Sequence, residues 1–206
     1  MTNVKNYSFY NCECLTSVKI PNSITSIGNS AFYGCNGLTS VKIPNSVATI
    51  CNSAFRNCTG LASVTIPNSM TTIENYAFNG CSNLVTAVSR IASPQSVTYT
   101  YFNNQTNIFT GIPKASTLYV PKGSIDSYQL EQYDGKPNPW LAFGNVCEVL
   151  DGDVNLDGSV TSADVTVIYN HLLNGDDTYI AAADVDGDGV ITAADVTAIY
   201  NILLGE

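Results

Sequence analysis

The fold is decided by the stretch from Leu15 to Asn83, which contains three consecutive copies of one 23-residue unit. The copies read LTSVKIPNSITSIGNSAFYGCNG from Leu15, LTSVKIPNSVATICNSAFRNCTG from Leu38 and LASVTIPNSMTTIENYAFNGCSN from Leu61. The segment from Asn6 to Cys14 matches the last nine positions of the unit. A repeat of this length is typical of a solenoid, in which each unit forms one coil and buries its apolar face against its neighbours.

The apolar positions of the unit are the same in every copy and are expected to point inward. In the first two copies they are Leu15, Val18, Ile20, Ile27, Ala31 and Phe32, then Leu38, Val41, Ile43, Ile50, Ala54 and Phe55. A proline follows each short predicted strand, because proline cannot donate a hydrogen bond to a sheet. The predicted outward ladder is small and polar, and consists of Ser17, Ser40 and Ser63 with Lys19, Lys42 and Thr65.

Four of the seven cysteines recur at the repeat period, at Cys12, Cys35, Cys58 and Cys81. Equivalent side chains in stacked coils lie about 4.8 Å apart and point the same way. A disulfide needs converging Cβ atoms about 3.8 Å apart. The spacing therefore favours a ladder of buried thiols over disulfides.

The repeats resemble the BspA-like subfamily of leucine-rich repeats, which has an IPNSV…I…AF…C pattern. Residues 84–150 depart from the unit and resemble the C-terminal cap of that family, with LYVPKGSIDSY from Leu118 to Tyr128 followed by Trp140 and Phe143. A cap is required because the last coil would otherwise expose an apolar face and an unpaired strand edge. The resemblance implies a solenoid of short parallel strands with an irregular convex side, over residues 1–150.

The charge of the chain is unevenly distributed and marks a second domain from residue 151 to 206. The formal net charge is −9, and residues 152–206 hold nine Asp and one Glu but no Lys or Arg. Such a segment repels nucleic acid and anionic membranes and attracts cations. The absence of any run of 18 apolar residues argues against a membrane span. Because the sequence opens partway through a repeat, we interpret Met1 as the start of a fragment that lacks its native leader and earlier repeats.

Two loops in the acidic segment have the spacing of an EF-hand calcium site. They read DVNLDGSVTSAD from Asp153 and DVDGDGVITAAD from Asp184, with oxygen donors at loop positions 1, 3, 5, 7, 9 and 12 and glycine at position 6. Two bound ions are expected, one in each loop. Ca²⁺ is favoured over Mg²⁺, because Mg²⁺ resists cages made only of protein ligands. The predicted ligands are Asp153, Asn155, Asp157, Ser159, Thr161 and Asp164 in the first loop and Asp184, Asp186, Asp188, Val190, Thr192 and Asp195 in the second.

Each loop is followed by one helix, and the segments from Asp153 and Asp184 agree at fourteen of twenty-one positions. This duplicated loop and helix resembles the type I dockerin family. The resemblance implies a small all-α domain that binds cohesin modules of cellulosome scaffolds. Together with the repeats, it implies an α+β fold class for the whole chain. The resemblance implies partner contacts at Ser162, Ala163, Tyr169 and Asn170, and at their counterparts Ala193, Ala194, Tyr200 and Asn201. Helical spacing places Thr166 and Leu173 on the same face as Ala163 and Asn170, and it adds them and their counterparts Thr197 and Leu204 to the predicted partner-binding residues. Tyr169 and Tyr200 fit contact with a partner and core packing equally well, whereas Val165, Ile168 and Leu172 are expected in the core.

No catalytic residues are predicted. His171 is the only histidine, and it lies in the first dockerin helix, far in sequence from the repeat cysteines. The carboxylates of the repeats are scattered, whereas glycosidase chemistry needs two that flank a cleft. Four aromatic residues form either a sugar-binding platform or, as we favour, part of the cap: Tyr99, Tyr101, Phe102 and Trp140.

Three functions are consistent with the sequence. The favoured one is a secreted, non-catalytic subunit of a cellulosome-type assembly, attached outside the cell, whose repeats bind a protein or a surface. The second is an adhesin that the dockerin holds at the cell surface. The third is the C-terminal fragment of a larger extracellular enzyme, such as a polysaccharide-degrading one. The sequence does not specify the ligand of the repeats or the cohesin that is recognised.

Overall fold

The computed structural model describes residues 2–103, 105, 107–150, 152–155, 159–174, 183, 185 and 191–205. The chain divides into two compact units, Met1–Cys147 and Glu148–Glu206. The first is a stack of coils with two five-stranded sheets and a two-stranded hairpin, and the described residues of the second form two α-helices. No helix within the described ranges is long and apolar enough to span a bilayer.

The first unit is a solenoid in which each coil contributes strands to parallel sheets. One five-stranded sheet holds the predicted outward ladder, in the order β12 (Asn145–Glu148), β9 (Thr117–Val120), β7 (Thr86–Ser89), β5 (Ser63–Ile66) and β3 (Ser40–Lys42). The register of β3 and β5 pairs Ser40 with Ser63 and Lys42 with Thr65. The repeat period therefore places equivalent residues side by side, as the sequence predicts for these coils.

The structure differs from the predicted ladder in the first coil and on the other side of the solenoid. Ser17 and Lys19 lie outside any strand, so the ladder begins at Ser40 and Lys42 of β3. A second parallel sheet, which the sequence analysis does not predict, runs through β1 (Asn3–Val4), β2 (Ser26–Ile27), β4 (Thr49–Ile50), β6 (Thr72–Ile73) and β8 (Thr98–Tyr99).

The apolar positions of the repeat form the core, as predicted. All six of those from Leu38 to Phe55 are buried, whereas Leu15 and Val18 in the first coil are only partly buried. A column of phenylalanine rings runs through the coils, and the nearly parallel rings of Phe9, Phe32, Phe55, Phe78 and Phe109 have centroids 5.0–5.4 Å apart. Each ring therefore fills the space between its two neighbours.

The cysteine ladder is confirmed as free thiols, with one exception to its predicted burial. Cys35, Cys58 and Cys81 are buried, and each donates its S–H to a backbone carbonyl 3.0–3.2 Å away. Burial raises the pKa of Cys81 to about 12, so its thiol stays protonated at neutral pH. Cys12 is exposed, because it belongs to the first coil.

The coil after Asn83 is longer than the repeat, which explains why its sequence departs from the unit. The partner of Thr86 in the next strand is Thr117, 31 residues on, whereas Ser63 and Thr86 are 23 apart. The inserted residues include a short 3₁₀ helix, Pro94–Ser96. Ile108 and Phe109 still occupy the positions that Ala77 and Phe78 hold one coil earlier, since Phe78 donates its N–H to the Ile108 carbonyl.

The C-terminal cap closes the solenoid with buried aromatic side chains. It contains helix α1 (Ile125–Gln129), the antiparallel hairpin β10 (Gln132–Tyr133) and β11 (Lys136–Pro137), and a 3₁₀ helix, Pro139–Ala142. Trp140 is buried and donates from its indole nitrogen to the Tyr99 hydroxyl, 2.8 Å away. The cap role is thus confirmed for Tyr99 and Trp140 and holds in part for the half-buried Tyr101. It is wrong for Phe102, which is 58% exposed and pairs with Gln105 through an isolated antiparallel bridge instead of packing on the core.

The second unit contains helices α2 (Ser162–Asn174) and α3 (Ala193–Leu204). Among the described residues its apolar core consists of Val154, Val165, Ile168, Ala183, Ile191, Val196 and Ile199. Val165 and Ile168 are therefore core residues, as predicted. Leu172 is not: it is exposed, like its counterpart Leu203, because this core ends before the last helical turn.

The close approach of successive coils leads to a prediction at Gly60. A Cβ atom there would lie 2.1 Å from the Asn36 carbonyl oxygen, and the equivalent position at Gly37 meets the Glu13 carbonyl at 2.4 Å. Because backbone must shift to relieve the clash, Gly60→Ala is expected to lower the free energy of unfolding by about 1–3 kcal/mol. Urea denaturation measures this, with the exposed Ser40→Ala as the control. An unchanged midpoint for Gly60→Ala would contradict the coil spacing.

Candidate metal-binding and docking site

The predicted calcium ligands fall partly within the described residues. Those described are Asp153, Asn155, Ser159, Thr161 and Asp164 of the first loop and Thr192 and Asp195 of the second. The other five predicted ligands lie outside the described residues: Asp157, Asp184, Asp186, Asp188 and Val190. The described residues alone bring no three His, Cys, Asp or Glu side chains together at a metal-binding distance.

The last acidic residue of each loop ties the loop to the following helix. The fully buried carboxylate of Asp164 accepts hydrogen bonds from the backbone N–H groups of Asn155 (3.0 Å) and Thr161 (2.8 Å). Asp195 is also fully buried, and it accepts from the N–H groups of Val185 (2.8 Å) and Thr192 (2.7 Å). Each carboxylate therefore joins the start of its loop to the end.

The threonine at position 9 of each loop caps the next helix, a role that the sequence analysis missed. The Thr192 hydroxyl accepts from Ala194 N–H at 3.0 Å and forms a capping box with Asp195. Thr161 likewise accepts from Ala163 N–H at 3.1 Å. The signal was present in the sequence, because a threonine three residues before an aspartate at the start of an apolar helix is a helix N-terminus pattern.

The described donors fit a calcium ion. Asp153, Asp164 and Asp195 are all buried, and burying an ionised carboxylate is costly unless hydrogen bonds or a cation offset the charge. Every predicted ligand offers oxygen, which is the donor that Ca²⁺ prefers. A bound Ca²⁺ would supply positive charge to the carboxylates at each loop, and the protein would supply the backbone N–H bonds that orient Asp164 and Asp195.

All twelve predicted partner-binding residues lie on the surface of α2 and α3 or immediately at their N-termini. They are Ser162, Ala163, Thr166, Tyr169, Asn170 and Leu173 on the first helix and Ala193, Ala194, Thr197, Tyr200, Asn201 and Leu204 on the second, and all are exposed. Leu173 and Leu204 are 79% and 71% exposed, the two largest exposed fractions among the large apolar side chains that the structure describes. The side chains of Tyr169 and Tyr200 are on the surface and not in the core. His171 is half-buried in α2.

Two family models match consecutive parts of this chain. The model described as "BspA type Leucine rich repeat region" matches six copies over residues 2–130, and the model described as "Dockerin type I domain" matches residues 151–204. Three full copies and one partial copy of the unit are evident between Asn6 and Asn83, so the family match extends the repeats into the longer coil and the start of the cap. No curated protein matches the chain.

Two solved structures resemble the repeats. A leucine-rich repeat protein from Bacteroides ovatus ATCC 8483 is 31% identical, with a TM-score of 0.43, over 50% of this chain and 28% of its own. The T. pallidum leucine-rich repeat protein is 28% identical, with a TM-score of 0.49, over 58% of this chain and 52% of its own. The chain thus spans about half or less of each of these proteins.

Proposed function

This chain belongs to the BspA-type leucine-rich repeat family and carries a type I dockerin domain. We propose that it is a secreted, non-catalytic subunit that docks onto a cohesin of a cellulosome-type scaffold. Both matched modules are non-catalytic, and type I dockerins bind calcium and imply a cohesin partner. In this proposal residues 1–150 are a binding module for a protein or a surface, and residues 151–206 dock with two Ca²⁺ held by the twelve ligands named above.

The observation that supports docking is the exposure of two equivalent helix faces. Thr166, Asn170 and Leu173 project from α2 where Thr197, Asn201 and Leu204 project from α3, and all six are exposed. Each exposed leucine gives a partner apolar area to bury, and the neighbouring threonine and asparagine offer hydrogen-bonding groups without an unpaired charge. The duplicated sequence therefore presents nearly the same chemistry twice.

Two similar faces favour binding in two orientations. The faces differ chiefly at Ser162 against Ala193 and at His171 against Ile202. One hydroxyl group is worth about 1 kcal/mol in a typical hydrogen bond, which shifts a preference without excluding the other orientation. A cohesin that fits one face is therefore expected to bind the other as well.

Charge substitution on both faces tests docking and the two orientations together. Asn170→Asp alone is expected to weaken cohesin binding only about twofold, because one of two equivalent modes remains. Asn170→Asp combined with Asn201→Asp is expected to weaken it about a hundredfold or more, because either mode then buries an unpaired charge. An array of cohesins identifies the partner, and calorimetric titration of the wild type, Asn170→Asp, Asn201→Asp and the paired variant in calcium measures each loss.

The outcomes separate the parts of this proposal. If Asn170→Asp or Asn201→Asp alone abolishes binding, only one face is used. If the paired variant binds as tightly as the wild type, neither helix face is the cohesin surface. Asn145→Asp, an equal charge change on an exposed residue of β12, is the matched control and should not alter binding.

A further inference from the structure

A strip of aromatic side chains crosses four successive coils of the solenoid, outside both the core and the outward ladder. Tyr10 and Tyr33 stack with ring centroids 4.9 Å apart and planes 11° apart. Tyr7 joins Tyr10 at 5.8 Å, and at the other end the Arg56 guanidinium lies 4.7 Å above the ring of Tyr76. We propose that this aromatic strip (Tyr7, Tyr10, Tyr33, Arg56 and Tyr76) binds a neutral polysaccharide chain.

The repeat places these residues in two adjacent rows. Tyr10, Tyr33, Arg56 and Asn79 occupy one position of the 23-residue unit, and Tyr7, Ser30, Ser53 and Tyr76 occupy the position three residues earlier. Beside the strip, the Asn57 amide donates to the Tyr33 hydroxyl at 3.1 Å, and Gly34 donates its backbone N–H to the Arg56 carbonyl at 2.9 Å. These bonds join the Tyr33 coil to the Arg56 coil, between the Tyr10–Tyr33 stack and the Arg56–Tyr76 pair.

The coil does not need aromatic residues at these positions. Ser30 and Ser53 stand where other coils have tyrosine, and Asn79 stands where Tyr10 and Tyr33 do. All four residues of the Tyr7 row have left-handed backbone conformations, with φ of 59° at Tyr7 and 60° at Tyr76. This conformation is unfavourable for a bulky side chain, so folding alone gives no reason for tyrosine there.

The strip reaches the surface and offers both kinds of contact that a sugar needs. Tyr7 is 61% and Tyr10 is 45% exposed, whereas Tyr33, Arg56 and Tyr76 are half-buried and present part of their side chains to solvent. Tyrosine combines an apolar ring, which can cover the C–H face of a pyranose, with a hydroxyl that can hydrogen-bond to the sugar's rim. Arg56 is half-buried, and its guanidinium extends the strip as a flat cationic group stacked over the Tyr76 ring.

The shape of the strip favours a neutral glycan over a protein or an anionic polymer. It contains five side chains, whereas a stable protein interface uses about 20–30 residues on each side. Its only charged group is Arg56, whose guanidinium is already stacked on Tyr76. A linear polymer, by contrast, can run along successive coils and repeat the same contact at each ring.

The test is affinity electrophoresis of the intact chain in calcium, through gels that contain soluble xyloglucan, glucomannan, arabinoxylan or hydroxyethylcellulose, with polygalacturonate as the anionic comparison. This inference rests on the proposed role of the repeats as a binding module, so cohesin binding is measured on the same samples.

At least one neutral glycan should retard the chain. Tyr10→Ala and Tyr33→Ala should each lower the association constant about tenfold or more, as truncation of a central aromatic contact does. Tyr10→Phe, which keeps the ring, should retain most of the binding.

Phe102→Ala is the matched control, since Phe102 is an exposed aromatic residue of the same unit outside the strip. Unfolding midpoints show whether each tyrosine variant is folded, and Tyr10→Phe keeps the test decisive if an alanine variant is not. The proposal is overturned if no neutral glycan retards a chain that still binds cohesin, which would favour a protein ligand. It is also overturned if only polygalacturonate binds, or if Phe102→Ala weakens retention as much as Tyr10→Ala. Loss of cohesin binding with glycan retention intact would count against docking and not against the strip.

Discussion

Removal of calcium is expected to abolish the helical circular dichroism of α2 and α3 while the repeats stay folded. Residues 152–206 contain nine Asp, one Glu and no basic residue, and Asp153, Asp164 and Asp195 are buried. Without a cation, the repulsion among the loop carboxylates and the cost of burying them oppose folding. The apolar core of this unit is small, so it offers little to offset that cost. Folding and calcium binding should therefore be coupled.

Calorimetry and chelation measure this coupling. The chain should bind two equivalents of Ca²⁺, with a dissociation constant on the order of 10⁻³ M or tighter, as suits extracellular calcium. Asp164→Ala and Asp195→Ala should each remove one equivalent, whereas Asp126→Asn, in the exposed part of α1, should remove none. Full helical signal in excess chelator would contradict the coupling. Melting of both units together in chelator would contradict their independence.

Phe55→Ala is expected to lower the free energy of unfolding of the repeats by about 3–5 kcal/mol, the range for emptying a buried aromatic site. Phe55 is fully buried in the middle of the phenylalanine column, 5.1 Å from Phe32 and 5.2 Å from Phe78 between ring centroids. The backbone cannot collapse into the cavity, because the Phe55 N–H and carbonyl are held by Ala77 and Cys81. In the variant, Phe32 and Phe78 therefore each lose the stacking contact that the Phe55 ring makes with one of their faces.

Denaturation of the intact chain in calcium, followed by a signal of the repeats, measures the loss. Phe102→Ala removes the same ring from the surface and should cost little. A loss below about 1 kcal/mol for Phe55→Ala would show that the column is not a tightly packed core. In a linear solenoid the damage should be local, so coils on either side are expected to keep their contacts.

The two helices show where sequence periodicity predicts burial and where it does not. Val165 and Ile168 were predicted in the core and are buried, but Leu172, on the same helical stripe, is exposed. A stripe specifies which side of a helix is apolar, whereas burial also requires a partner element opposite each turn. Tyr169 and Tyr200 lie on the surface because no partner element in the described chain covers their side of the helix. Helical periodicity does not predict such a partner, so the sequence is equally consistent with partner contact and with core packing for these two residues.

By itself, the sequence determined the solenoid, its core residues, the cap role of Tyr99 and Trp140 and the spacing of the two loops, because each follows from a local period or a fixed motif. Only the tertiary structure decided the second sheet, since strands of two residues pair through backbone groups that carry no sequence signature. It also decided the exposure of Cys12 and Phe102, which depends on whether another coil covers them. The aromatic strip belongs to the same class: Tyr10, Tyr33 and Arg56 recur at one repeat position, but the stacking that joins them depends on the distance between coils.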